Sequence, residues 1–410
     1  MVAAGASVWL VTRNPGSPSN APEETTAATD PSASAGSEPA PTPESYAPLV
    51  SRHPTEDVSA SIPRTAPVTA ARKSGDRNAS PYTRQLVASL IELDPKNGPM
   101  TPEQIALWKQ NLQLLVQQGG AAVPAILEFL DKNVDLSLKG LAGDQLSSSL
   151  RQAMFDALAQ IGGADGYGGL AQVLQATADP AEIAHLAGMF NVQNSEEYRG
   201  VVVDAAREAL GHLANMKVQG VEVAPLFELL QKYGGPGVVA DLEKAAKNWH
   251  HYAVLALANL PEGAGIPALE NMIRDRSSAA SGSGNSALKL LAQNLHQYPE
   301  AAGALERAIN EKRIPTGGWL VLAGALGGEV TYFASETIPP DAIYPGETPH
   351  EFRVPYGDQK GKSVRKSTMI PGECEQRLAI FDKAIASQPG SVPETFLQRE
   401  RAKLIALCSK

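Results

Sequence analysis

The chain has 410 residues and a formal net charge of -9, a balance that gives no general attraction to nucleic-acid phosphates or anionic lipid surfaces. Hydrophobic residues make up 43% but aromatics only 5%, much of the apolar share being alanine. Small side chains of this kind suit closely stacked helices better than a β-sandwich or barrel.

Val2 to Val11 is apolar and meets no charge before Arg13. It falls short of the roughly 20 residues a bilayer span needs, and it has no basic n-region. Two readings of residues 1–13 stay open: a truncated anchor or signal, implying membrane attachment through the N-terminus, or a merely apolar, frayed end. Residues 14–80 are rich in Pro, Ala, Ser, Thr and Glu, as in Pro39-Ala40-Pro41-Thr42-Pro43. Such a segment buries too little apolar surface to offset its conformational entropy, so it reads as a disordered tether.

The folded part, 81–330, reads as helix after helix. Thr101-Pro102-Glu103-Gln104 is a helix start, with Thr101 as cap and Gln104 closing the box. Ile105, Trp108, Leu112, Leu115 and Val116 then share one face until Gly119-Gly120. Leu150, Ala153, Met154, Ala157, Leu158 and Ile161 repeat that spacing before Gly162-Gly163. Asp179-Pro180-Ala181-Glu182 caps another start, and the Ala-x-x-Ala-Leu helix returns at Ala206-Arg207-Glu208-Ala209-Leu210 and at Ala253-Val254-Leu255-Ala256-Leu257. Period-two alternation is almost missing, so the expected fold class is all-α.

Three second helices open alike: Val123-Pro124-Ala125-Ile126-Leu127-Glu128, Val223-Ala224-Pro225-Leu226-Phe227-Glu228 and Ile266-Pro267-Ala268-Leu269-Glu270. A unit this short cannot bury its apolar face alone, so repetition predicts stacking into an α-solenoid. Arg-x-x-Ala-x-x-Ala-Leu-x-x-Ile-Gly, followed by a turn and Ile-Pro-Ala-Leu, resembles HEAT-like repeats of the phycobilin-lyase type, best between Tyr252 and Ile273. The Ala-Leu anchors Leu158, Leu210 and Leu257 are unevenly spaced, a departure from that pattern. The resemblance implies that second helices line a concave, protein-binding face, which singles out Glu128, Glu228, Lys232, Glu270 and Arg274. Solvated charges on helices are the plainer alternative for all five.

Residues 331–372 are dense in proline and glycine and carry Tyr332, Phe333, Tyr344, Phe352 and Tyr356, the expectation being an aromatic loop packed on the helices. Residues 373–410 read as a helical hairpin turning at Pro389-Gly390, with Ser391-Val392-Pro393-Glu394 capping its second helix. The only 2 cysteines, Cys374 and Cys408, lie almost symmetrically about that turn. Antiparallel helices would bring them together, which predicts a disulfide and an oxidising, extracytoplasmic compartment, most simply a periplasm facing an inner membrane.

Other chemistry finds little support. Gly166-Tyr167-Gly168-Gly169 fits a loose dinucleotide fingerprint but follows a helix where a strand is required. Gly357-Asp358-Gln359-Lys360-Gly361-Lys362-Ser363 is one residue short of a P-loop. His250-His251, His185, His212 and His296 make no metal or acid–base pattern. The basic run of Lys360, Lys362, Arg365 and Lys366, with Arg353 nearby, reads as a solvated loop or a docking point for an acidic partner. The sequence therefore points to a non-enzymatic scaffold binding a protein partner, with no cofactor, metal or nucleic acid. The alternative is a HEAT-derived, lyase-like enzyme with its site between the helices and the aromatic loop.

Overall fold

A computed structural model of the chain describes residues 78–92, 99–142, 146–190, 196–216, 220–275, 282–354 and 358–409. The chain divides into two units, 1–59 and 60–410, and every described residue belongs to the second. The apolar stub and the tether up to residue 77 thus lie outside the described residues.

The described part of the second unit is mostly helical. Its helices are α1 (Pro81–Ile91), α2 (Pro102–Gln117), α3 (Val123–Leu130), α4 (Lys139–Ala142), α5 (Leu150–Ile161), α6 (Gly163–Ala176), α7 (Pro180–Met189), α8 (Glu196–Met216) and α9 (Ala224–Tyr233). They continue as α10 (Val239–Ala245), α11 (His250–Ala258), α12 (Ile266–Arg274), α13 (Ser283–Gln293), α14 (Pro299–Asn310), α15 (Thr316–Leu326), α16 (Pro371–Ala386) and α17 (Val392–Cys408). The expected starts are the observed ones. Thr101 and Gln104 form a reciprocal capping box, Asp179 accepts from the N–H groups of Ala181 and Glu182, and Ser391 accepts from that of Glu394.

In two of the helical pairs a glycine sits where the helices cross. Gly166 and Gly265 each stand eight positions after the leucine of an Ala-Leu pair, Ala157-Leu158 and Ala256-Leu257. A Cβ on Gly166 would lie 2.4 Å from the Leu158 carbonyl oxygen, and one on Gly265 would lie 2.1 Å from that of Leu257. No side chain fits at that distance, so only glycine lets the second helix cross the first so closely. Leu158 and Leu257 are themselves fully buried in one continuous apolar core that runs from Ala79 to Leu404. Packing is predominantly between helices one to three places apart in the chain, such as α5 with α6, α11 with α13 and α13 with α15.

The region expected as an aromatic loop is not structureless. Together with the two residues before it, it forms an antiparallel sheet of β1 (Glu329–Phe333), β2 (His350–Arg353) and β3 (Lys360–Arg365), in the order β1-β3-β2. The all-α expectation is corrected to that extent. Strands of four to six residues separated by proline-rich turns are too short for alternation to stand out. The aromatic expectation fares better, because Phe333 is fully buried and Thr331 and Gly361 share its inward face.

The C-terminal hairpin is α16 packed on α17, joined by the Cys374–Cys408 disulfide with a Cα separation of 6.1 Å. That is inside the limit of about 7 Å for an unforced bridge. Arg377, on α16, is completely buried. It donates to the carbonyls of Ala325 (2.6 Å) and Leu326 (3.3 Å) at the end of α15 and to that of Gln293 (3.2 Å) at the end of α13. Its charge is matched by Glu373 at 2.9 Å, which also holds Lys366 at 2.9 Å.

Two outcomes are expected. Gly265→Ala should lower stability by about 1–3 kcal/mol, read from urea midpoints, because the helices must part to admit a methyl group. Replacing both Cys374 and Cys408 by serine should cost up to about 4 kcal/mol by chain entropy and leave the native helical spectrum.

Candidate functional site

The sheet docks on α11, α13 and α15, and its junction with α11, beside α9, gathers the densest set of perturbed polar groups among the described residues. α11 starts at His250 after Trp249, which provides no side-chain cap. Its first N–H groups are satisfied from a distance: the buried Gln359 Oε1 accepts from the N–H of His251 (2.9 Å) and of Tyr252 (3.3 Å). One residue on, the Lys360 N–H donates to the Tyr252 hydroxyl (2.8 Å), which in turn donates to Glu222 Oε1 (2.9 Å). The start of β3 is thereby bonded to the start of a core helix.

Acidic groups converge beside this seam. Glu228 on α9 is hydrogen-bonded to the Ser335 hydroxyl, just after β1. Burial pushes the Glu228 carboxyl up, against the Ser335 bond, and the Glu222 charge adds to the rise. Glu336 is pushed up by burial too; its bond from the Phe333 N–H (3.1 Å) opposes this, and the Glu228 charge reinforces it. Burial likewise raises the Tyr332 hydroxyl, with help from Glu336, and the Tyr252 hydroxyl, with help from Glu222 and Glu228. A carboxyl that holds its proton above the usual carboxylate range can donate a hydrogen bond or a proton, so this junction has acid–base capacity.

On its other side the seam is apolar. His251 is 6% exposed, stands edge-on to Phe352 at 5.3 Å between ring centroids, and has no hydrogen-bond partner for Nε2 among the described residues. A Cβ on Gly361 would come within 2.6 Å of that nitrogen, so the strand lies directly on the imidazole. Burial, with the charges of His250 and Lys289 acting in the same sense, lowers the His251 pKa to about 4.

The five residues singled out by the repeat are not brought to one place. Glu228 belongs to the junction. Glu128 is held by a two-bonded ion pair with Arg84 on α1 (2.7 and 2.8 Å), and Glu270 by one with Arg307 on α14 (2.7 and 2.8 Å). Those pairs hold both carboxyls below the usual range. Arg274 joins Glu270 at 3.3 Å, and Lys232 lies over the Tyr233 ring at 5.0 Å. The three glutamates thus reach from the second helices to neighbouring elements, to α1, to the turn after β1 and to α14. Sequence reading missed Glu222, Tyr252, Ser335, Glu336 and Gln359. Tyr252 and Glu222 open or precede familiar helices, but the Lys360 N–H that bonds the Tyr252 hydroxyl lies 108 residues along the chain, and Tyr252 lies 30 residues from Glu222. Among the described residues no group of three or more His, Cys, Asp or Glu could hold a metal ion.

Compared with protein-family models, curated proteins and solved structures, the chain matches none of them.

The buried imidazole has a pH signature. On unfolding, His251 returns to a pKa of about 6.5, so between about 4 and about 6.5 the unfolded chain binds the additional proton. Stability should therefore fall as pH drops through this window, by up to about 3 kcal/mol in all. Glu228 and Glu336 act in the opposite sense, so the comparison must be with a variant that keeps them. The fall in urea midpoint from pH 7 to pH 5 should be smaller in His251→Leu than in the unchanged protein, or turn into a rise.

Proposed function

We propose that this chain is a non-enzymatic scaffold: a HEAT-like α-solenoid that binds a protein partner on the face lined by second helices, outside the cytoplasm. The observation that carries this reading is the recurrent glycine crossing at Leu158–Gly166 and Leu257–Gly265, the same packing device in two helical pairs. Repeated pairs that pack chiefly on near neighbours make long, continuous surfaces, and such surfaces bind other proteins. Support for an oxidising compartment comes from the Cys374–Cys408 bridge. No helix among the described residues is long and apolar enough to cross a membrane, and this reading gives membrane attachment to the apolar residues 1–13.

A second reading has an observation of its own. The converging Glu222, Glu228, Glu336, Tyr252 and Tyr332 between helices and sheet favour a HEAT-derived, lyase-like enzyme at that junction.

Affinity capture from detergent-solubilised membranes with the full chain as bait decides between them. The scaffold reading expects one protein recovered in near-stoichiometric amount, retained when Glu228 and Glu336 are both changed to glutamine. Recovery of no protein would overturn it, and a small-molecule turnover abolished by those same two changes would establish the enzyme.

A further inference from the structure

The run of cations around β3 is mostly neutralised within the fold. Arg365 faces Glu347 and Glu400 at 3.9 Å each, and Lys366 is held by Glu373 at 2.9 Å. Lys362 stands across from Glu351 and donates to the Glu336 carbonyl at 3.2 Å. Arg353 and Lys360 are different. They are directly opposite one another on β2 and β3, and neither has an ion pair among the described residues.

Their register sharpens the point. The Val354 N–H donates to the Gln359 carbonyl (2.9 Å), so that pair is a hydrogen-bonded one. The next pair along, Arg353 with Lys360, is then a non-hydrogen-bonded pair, in which side chains approach most closely. Like charges at such a site destabilise the sheet unless an anion lies over them. The same alternation turns the N–H and C=O groups of Glu351 and Arg353 away from β3, toward the outer edge of β2. β2 is one of the two edge strands of the sheet, and His350, Glu351 and Arg353 are exposed. Among the described residues an unpaired edge and an uncompensated positive pair thus coincide at one place, on a chain whose overall charge is -9.

We propose that the outer edge of β2 is the docking strand for an extended, carboxylate-rich segment of a partner protein. The segment adds to the sheet as a fourth strand. Backbone bonds to Glu351 and Arg353 hold it, and acidic side chains at alternate positions lie beside Arg353, with Lys360 one strand beyond. The acidic remainder of the chain repels such a segment elsewhere, so the positive pair sets its register. This inference rests on the scaffold reading and names the chemistry of its partner.

The test uses the full chain and a fluorescein-labelled dodecapeptide of alternating threonine and glutamate, followed by anisotropy at low salt. Three further arms are a threonine–lysine peptide, the acidic peptide N-methylated at the residues whose N–H groups would face β2, and the protein carrying Arg353→Glu with Lys360→Glu. The proposal expects saturable binding of the acidic peptide, no binding of the basic one, and a weakening of at least about tenfold by methylation and by the double variant. No saturable binding to the unchanged protein overturns it. So does equal affinity for the methylated peptide, an arm that does not depend on the variant folding. The capture experiment separates the two readings. A partner recovered equally by the unchanged and doubly substituted chains leaves the scaffold standing and removes the docking strand. No partner with either chain removes the scaffold, and the peptide titration still decides the strand.

Discussion

Every α-helix leaves its last carbonyls without intrahelical partners, and a chain built from many short helices multiplies those ends. Here they lie inside, where an unbonded carbonyl would cost about as much as a lost hydrogen bond. The answer is consistent along the chain: a side chain from another helix, or from the turn leading into one, reaches over and donates. Trp108 Nε1 reaches the Leu90 carbonyl at 3.3 Å, Arg151 Nη1 reaches Leu130 at 2.9 Å, Arg199 Nε reaches Tyr233 at 2.8 Å and Asn294 Nδ2 reaches Ala258 at 3.0 Å. Arg377 does this for α13 and α15 at once. These bonds tie the ends of helices to their neighbours across the packed core.

Buried arginine is the costly form of this solution. A guanidinium inside the fold must be paired as well as bonded, and both fully engaged examples are: Arg151 with Glu182 at 2.6 Å and Arg377 with Glu373 at 2.9 Å. Burial lowers the Arg377 pKa, opposed by the Glu373 charge and hydrogen bond. The Arg377 cluster sits one turn from Cys374, so the disulfide and the ion pair hold the same end of the C-terminal hairpin against α13 and α15.

The docked sheet applies the same rule at a helix start. α11 begins at histidine with no cap of its own, and Gln359 supplies one from across the chain. Because the sheet is bonded there, Tyr252, Glu228 and Glu336 are drawn out of water together, and their raised proton affinities follow from that burial. The exposed face of the sheet inherits its position from the same contact, and so does the uncompensated pair of Arg353 and Lys360.

Local signals were legible in the sequence because they act over a few residues. The capping box at Thr101–Gln104, the caps at Asp179 and Ser391, the Ala-Leu helices and the cysteine pairing across Pro389-Gly390 all depend on neighbours within a turn or on one hairpin. The strands of the sheet did not announce themselves, since four to six residues between prolines carry too little alternation. The repeat singled out Glu128, Glu228 and Glu270 as equivalent, and on sequence alone they are. Tertiary structure makes them different, tying Glu128 to Arg84 and Glu270 to Arg307 while burying Glu228 beside Ser335 and Glu336. A glutamate's chemistry depends on how much water and which charges surround it, and those are set by contacts up to about a hundred residues away. The sequence by itself determined where the side-chain-capped helices begin and which cysteines could meet; only the tertiary structure decided which carboxylates are spent in ion pairs and which are held in a partly dry, acid-retaining junction.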